Sequence, residues 1–238
     1  NCNAGKYSAA GAASCSNCAT GKTNDAGSAF CGKVAAGYYG TVGSKSGSTF
    51  TAHAGTVTAC TATYTHSSIV TSGVAGITSD ASATTTDKTA CKTKPGYRIT
   101  TAANVGDANV AIAKAAAGTY IAGGTALPGT GAQTATDCAT GKTNDAGSAF
   151  CGKVAAGYYG AAGAASGGVY TAHAGTVTAC TTTFSHSSNP SAGITSDEST
   201  SGTTTKTACK TAPGYIITSA DGAADNAITV ASASAGKY

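Results

Sequence analysis

The sequence predicts an all-β protein of tandem, disulfide-rich repeats, built from short strands and turns with little or no helix. Three observations carry that expectation: ten cysteines in 238 residues, a scarcity of large aliphatic side chains, and long stretches of sequence that occur twice.

The composition comes first because it sets the energetic problem. Ala, Gly, Thr and Ser make up roughly 60% of the chain, far above their share of an ordinary globular domain. Glycine alone accounts for 33 residues, Met and Trp are absent, and Leu127 is the single leucine. Burying a large apolar side chain contributes about 1.5–3 kcal/mol, whereas fixing one residue's backbone costs about 1–2 kcal/mol. A core this sparse cannot hold the chain by packing alone, so cross-links that shrink the unfolded ensemble must help. Disulfides persist in oxidising compartments, which points to a secreted or cell-surface protein. The competing reading, a cytosolic metal-thiolate protein, mostly lacks the paired-ligand spacings of zinc sites.

The formal net charge is +4, with no run of Lys or Arg, so the basic stripe that nucleic acid binding needs is missing. The longest apolar candidate, residues 110–129, is interrupted by Lys114 and several glycines and is too broken to span a bilayer. Without a recognisable signal peptide or anchor tail, the chain reads as a mature protein or an excerpt of one. Membrane contact is expected only through an anchor outside these residues.

The repeat organises everything else. Residues 18–40, CATGKTNDAGSAFCGKVAAGYYG, recur letter for letter at 138–160, and TAHAGTVTACT occurs at 51–61 and 171–181. KTACKTKPGYRIT at 88–100 matches KTACKTAPGYIIT at 206–218. Two units follow: 1–116, with a cysteine-rich module at 1–40 and a β-rich module at 41–116, and 117–238, with the corresponding modules at 138–160 and 161–238. AGKY at 4–7, AGTY at 117–120 and AGKY at 235–238 mark successive unit starts, which is the pattern of an array whose ends meet or continue.

Cysteine pairing follows from the same comparison. Cys18, Cys31, Cys60 and Cys91 return as Cys138, Cys151, Cys180 and Cys209, while Cys2 and Cys15 are lost together from the second unit. Joint loss pairs Cys2 with Cys15. Cys18–Cys31 would repeat that spacing and Cys60–Cys91 would close a longer loop, although six cysteines formally allow 15 connectivities.

The strand candidates are Thr-rich alternating stretches at 48–54, 56–66, 96–101 and 226–232, punctuated by Gly, Asn-Asp and Pro-Gly turns. Phe50, Ala52 and Ala54 would share one strand face, matched by Tyr170, Ala172 and Ala174 in the second unit. Residues 107–118 are the one helix-prone run, whereas their counterpart favours a strand or an extended connector.

Between Cys2 and Tyr39 the pattern C-x-x-G-K-Y, C-x-x-C-x-x-G-K-T, F-C and G-Y-Y-G resembles the cysteine-rich modules of Eph-receptor-like and growth-factor-receptor-like ectodomains. Joined to tandem Ala/Thr/Ser/Gly-rich repeats, it resembles the surface (immobilization) antigens of ciliated protozoa. That resemblance implies a lipid-anchored coat protein with cysteine-rich repeats and no enzymatic activity.

Candidate sites are few. His53 and His66 recur as His173 and His186, but a zinc or copper site needs further ligands brought close, and surface or partly buried polar histidines are the favoured reading. Asp25 and Asp145 lie in TNDAGS, where a plain turn is favoured over a calcium loop because repeated acidic residues are missing. Cys15 and Cys18 have the C-x-x-C spacing of thiol oxidoreductases, yet no βαβ context follows, which favours two neighbouring structural bridges. Asp197 and Glu198 are the sole adjacent acidic pair, and no nucleophile elbow, P-loop or dinucleotide fingerprint occurs. No catalytic residue, cofactor site or metal site is therefore expected. Tyr38, Tyr39, Tyr97, Tyr158, Tyr159 and Tyr215 follow glycines or another such tyrosine. They are expected to pack over bare backbone, with sugar stacking as the functional alternative.

Thr and Ser clusters at 84–86, 181–188 and 199–205 are candidate O-glycan sites, since no N-x-S/T sequon survives Pro190. The length-variable segments 69–87 and 189–205 are expected as exposed loops. The expected function is a non-enzymatic, extracellular structural glycoprotein of a cell-surface coat or filament. It would self-associate with neighbouring copies or repeats through strand edges near Cys2–Lys6 and Ala235–Tyr238. The alternative is an adhesin or receptor-like ectodomain that binds carbohydrate or protein.

Overall fold

The computed structural model describes residues 1–65, 76–84, 86–185, 193–200 and 202–234. The fold is all-β and disulfide-rich. Among these residues, twenty-four strands of two or three residues pair antiparallel into twelve two-stranded sheets, accompanied by two single-turn α-helices and four 3₁₀ turns.

The chain forms two compact units, residues 1–114 with 123–134, and residues 115–122 with 135–238. The repeat boundary read at 116/117 thus differs from the spatial one, because residues 123–134 pack into the first unit.

In unit 1, β1 (Lys6–Tyr7) pairs β2 (Ser16–Asn17) and β3 (Lys22–Thr23) pairs β4 (Lys33–Val34). Next, β5 (Tyr38–Gly40) pairs β8 (Val57–Ala59), enclosing the hairpin β6 (Lys45–Ser46) and β7 (Thr49–Phe50). Helix α1 (Cys60–Thr63) follows, then β9 (Ile77–Thr78) with β10 (Lys92–Thr93), and β11 (Tyr97–Ile99) with β12 (Ile112–Lys114). Unit 2 repeats the order. There β13 (Thr119–Tyr120) pairs β14 (Thr136–Asp137), β15 (Lys142–Thr143) pairs β16 (Lys153–Val154), and β17 (Tyr158–Gly160) pairs β20 (Val177–Ala179) around β18 (Ala165–Ser166) and β19 (Val169–Tyr170). Helix α2 (Cys180–Thr183) precedes β21 (Ile194–Thr195) with β22 (Lys210–Thr211), and β23 (Tyr215–Ile217) with β24 (Val230–Ser232).

Turn chemistry keeps the strands short. Lys94–Pro95–Gly96–Tyr97 shows the logic: Pro95 presets the second position, Gly96 takes φ 82° at the third, and the Tyr97 N–H donates to Lys94 O at 3.1 Å, the requirements of a type II turn. Strand β11 starts at once.

Three sequence expectations change. The strand expected over 56–66 stops at Ala59, because Cys60 and Tyr64, four residues apart, share one face of a helical turn and both enter the core. The strand expected over 48–54 is confined to 49–50 by the bend that follows. The helix-prone run 107–118 forms a 3₁₀ turn at Asp107–Asn109 and then β12, since burying Val110 and Ile112 (0% and 3% exposed) demands a period of two. Burial outweighs alanine propensity there.

The expected exposed loops are also partly tied down. His66, His186, residues 66–75 and 186–192, Thr85, Ser201 and Ala235–Tyr238 lie outside the described residues. Within the rest of 69–87, Ser79 is 1% exposed, and its Oγ donates to Tyr38 O at 2.6 Å and accepts from the Gly37 N–H at 3.0 Å. Ser196 donates to Tyr158 O in the same way at 2.7 Å. Both serines sit in an ITSD tetrapeptide present in each unit at 77–80 and 194–197.

Aromatic rings lie on glycine backbone, as the composition requires, although the glycine is not the one next to them in sequence. A methyl group built on Gly21 would stand 2.8 Å from Tyr38 Cδ1, and one on Gly32 would stand 2.1 Å from Phe50 Cδ1. Gly32→Ala is therefore expected to destabilise unit 1 by about 1–3 kcal/mol through overpacking. Gly106→Ala, at φ −63° with only Asn109 Nδ2 nearby at 3.9 Å, should stay within about 0.5 kcal/mol. Denaturant midpoints of the two variants check this.

Candidate functional site

The site rests on the covalent framework. Disulfides join Cys2–Cys15, Cys18–Cys31 and Cys60–Cys91 in unit 1, and Cys138–Cys151 and Cys180–Cys209 in unit 2. All ten cysteines are paired, which belongs to an oxidising environment. Cys15 and Cys18 thus serve two separate bridges. Where Cys2 O accepts from the Gly27 N–H in unit 1, Ala115 O accepts from Gly147 in unit 2, both at 2.8 Å. Ala115 takes over the buried position of the lost cysteine.

The described candidates His53, His173, Asp25, Asp145, Asp197 and Glu198 each have a partner within the fold. His53 Nδ1 accepts from the Cys31 N–H at 3.0 Å, and its ring meets Tyr7 and Phe30 edge-on with centroids 4.6 and 5.4 Å away. His173 does the same with Cys151, Tyr120 and Phe150. In both units Nδ1 is thus used as a hydrogen-bond acceptor for backbone.

Asp25 pairs with Lys33 at 2.6 Å, and Lys153 bridges Asp145 at 2.6 Å and Glu198 at 2.8 Å. The two carboxylates hold the Lys153 ammonium above its usual range, chiefly through their hydrogen bonds. Asp197 pairs instead with Lys210, so the adjacent acids 197 and 198 serve different lysines. Among the described residues no group of three His, Cys, Asp or Glu is placed to hold a metal ion, and no helix is long and apolar enough to cross a membrane.

Of the candidate glycan clusters, Thr86 and Thr204 have hydroxyls engaged by the Gly40 and Gly160 N–H groups, both at 2.9 Å. Thr84 lies exposed.

Asn24 and Asn144 carry no signal beyond their repetition, yet they close each unit. Asn24 is 3% exposed, accepts from the Gly5 N–H at 2.8 Å and donates to Lys6 O at 2.9 Å. Asn144 holds Gly118 and Thr119 likewise, both at 2.9 Å.

The two units differ most at their last two sheets. In unit 1, Cys60, Tyr64, Ile77, Cys91, Ile99, Val110 and Ile112 form one buried cluster together with Leu127, which is 1% exposed. The segment 123–134 that carries Leu127 is held through its backbone. Leu127 N–H donates to Cys91 O at 2.8 Å, Thr93 N–H to Thr125 O at 2.9 Å, and Gly124 N–H to Thr93 O at 2.9 Å. Gln133 brackets Ile99, donating its N–H to Ile99 O at 2.8 Å and accepting from the Ile99 N–H through Oε1 at 3.0 Å.

In unit 2 the equivalents of that cluster, Phe184, Ile194, Cys209, Ile217, Ile228 and Val230, line an open groove of about 120 Å³ together with Lys210 and Thr211. Ile99 is 0% exposed, but its counterpart Ile217 is 58% exposed and the neighbouring Ile216 is 50% exposed.

Tyr64 gives the two clusters different acid-base behaviour. Burial, then Asp107, Tyr39 and Asp87, push its phenol up to about 12, and its hydroxyl donates to Lys88 O at 3.3 Å. The folded value exceeds the unfolded one of about 10, so the associated stability is intact below pH 10 and is lost as pH rises from 10 to 12. The loss should reach about 2 kcal/mol in unit 1 alone, since unit 2 has Phe184. Near-ultraviolet circular dichroism between pH 9 and 12, compared with Tyr64→Phe, checks this.

No family model, curated protein or solved structure matches the chain.

Proposed function

We propose that the protein is a non-enzymatic extracellular structural protein, a repeat of a cell-surface coat or filament of the kind implied by its resemblance to ciliate surface antigens. The single observation that carries this reading is the groove of unit 2, an apolar surface whose twin in unit 1 is filled by a linker. An open apolar groove built from the same residues as a filled one supports association with a neighbouring copy or repeat. The disulfides supply stability that a sparse core does not, and O-linked glycans on exposed threonines would shield the surface. Electron microscopy and sedimentation of the oxidised protein are expected to give end-to-end oligomers that lengthen with concentration. Dispersed monomers at high concentration would overturn the reading.

A second reading, an adhesin, is favoured by one feature of unit 1, a cleft of about 310 Å³ lined by Tyr7, Asn17, Ala19, Lys22 and His53. A tyrosine ring beside polar groups offers a sugar both apolar surface and hydrogen bonds. Saturable glycan binding that Tyr7→Ala removes would establish this reading; its absence on a broad glycan array would dismiss it.

A further inference from the structure

We infer that the open groove of unit 2 receives a linker of the same chemistry as residues 123–134, carried by a further repeat of this type. That linker places an aliphatic side chain where Leu127 sits in unit 1 and adds its backbone to the outer edge of β22. The inference rests on the array reading above and names the segment that does the joining.

The filled groove is the template for the empty one. Tyr64, Ile77, Cys91, Lys92, Thr93, Ile99, Val110 and Ile112 correspond in order to Phe184, Ile194, Cys209, Lys210, Thr211, Ile217, Ile228 and Val230, the eight residues that line the open groove. The apolar residues that cluster with Leu127 in unit 1 therefore have counterparts around the open groove.

The backbone template is repeated as well. Thr78 faces Lys92 across the β9–β10 pair, and in unit 1 it is Thr93 that turns its N–H and carbonyl outward to Thr125 and Gly124. Lys210 faces Thr195 in the same register, so Thr211 presents the same outward edge. Among the described residues no segment lies along it as residues 124–127 lie along β10. An open edge beside an apolar slot is the arrangement that an added strand completes.

Sterics define the occupant further. A methyl group on Gly123 would stand 2.5 Å from Pro95 N, and one on Gly129 would stand 2.3 Å from Ile99 Cδ1. Unit 2 keeps both walls as Pro213 and Ile217, so the incoming segment needs glycine on either side of its aliphatic residue. Residues 8–14, SAAGAAS, which occupy the linker position at the start of unit 1, contain no large apolar side chain. The occupant is thus a linker of the unit 2 type, which another copy of this chain supplies only by exchanging its own segment 123–134, since the start of unit 1 does not qualify.

The test uses the whole oxidised chain, labelled at its Ile and Val methyl groups, and a synthetic peptide of residues 121–135. Saturable shifts are expected at Ile194, Ile217, Ile228 and Val230, with Ile77, Ile99 and Ile112 unmoved. A peptide with Leu127→Ser should bind weaker by roughly tenfold or more. Ile217→Asp in the protein, at a site already largely exposed, should weaken the native peptide comparably.

No binding at millimolar peptide, equal binding of the two peptides, or shifts confined to the Ile77 and Ile99 cluster would each overturn the inference. Sedimentation of the same sample separates the two ideas. Assembly without peptide binding removes this linker and leaves the array standing. Peptide binding by a chain that stays monomeric supports the linker and counts against the array.

Discussion

Reducing the disulfides is expected to unfold both units, and to do so in an order set by burial. Loops of this size are worth about 3 kcal/mol each, against a net stability of about 5–15 kcal/mol for a typical domain. Unit 1 has three such loops and unit 2 has two, so removing them takes away most of what separates folded from unfolded. The order follows from access of the thiolate to sulfur. Cys15 is exposed, and Cys209 is half-buried because its groove is open, whereas Cys60 and Cys91 are both 0% exposed under the linker. Cys2–Cys15 should open first under mild reductant, then Cys18–Cys31, Cys138–Cys151 and Cys180–Cys209, each of which has one half-buried cysteine, and Cys60–Cys91 last. Stepwise alkylation followed by mass spectrometry reads the order, while circular dichroism reads the loss of fold. A chain that keeps its spectrum after all five bridges open would show that packing alone suffices.

Much of this was legible in the sequence, and the part that was not has a definite physical origin. Letter-for-letter repetition implies equal local structure, and the paired sheets of residues 18–61 and 138–181 follow the same order. Short strands were readable from Thr-rich runs cut by Pro-Gly and Asn-Asp. Pattern could not tell Ile99 from Ile217, because they stand in closely similar local sequence and Ile99 is covered by a segment distant in the chain. That segment, GGTALPGTGAQT, has no hydrophobic periodicity, and its one informative letter is a lone leucine. Asn24 was hidden for a related reason: a buried amide that holds two backbone groups looks, in sequence, like any other turn asparagine. The helix-prone run failed because propensity is local, while the burial of Val110 and Ile112 is set by β11 and Leu127.

The single leucine is then among the sensitive side chains of unit 1. Leu127→Ala is expected to cost about 2–5 kcal/mol, the range for a buried leucine whose cavity cannot fully collapse. Collapse is limited here because Cys60 and Cys91 are joined and Ile99 and Ile112 are fixed in register by the β11–β12 ladder. The loss should appear in unit 1 only, and it should also remove protection from the bridge beneath: Cys60–Cys91 would react with reductant at a rate approaching that of Cys180–Cys209. Thr130→Ala, an exposed change in the same segment, should stay within about 0.5 kcal/mol. Denaturant melts give the first quantity and differential alkylation the second. The two readouts are linked by one cause, exposure of the cluster when the linker lifts, so a variant that loses stability without gaining reactivity at Cys91 would place the leucine's contribution elsewhere.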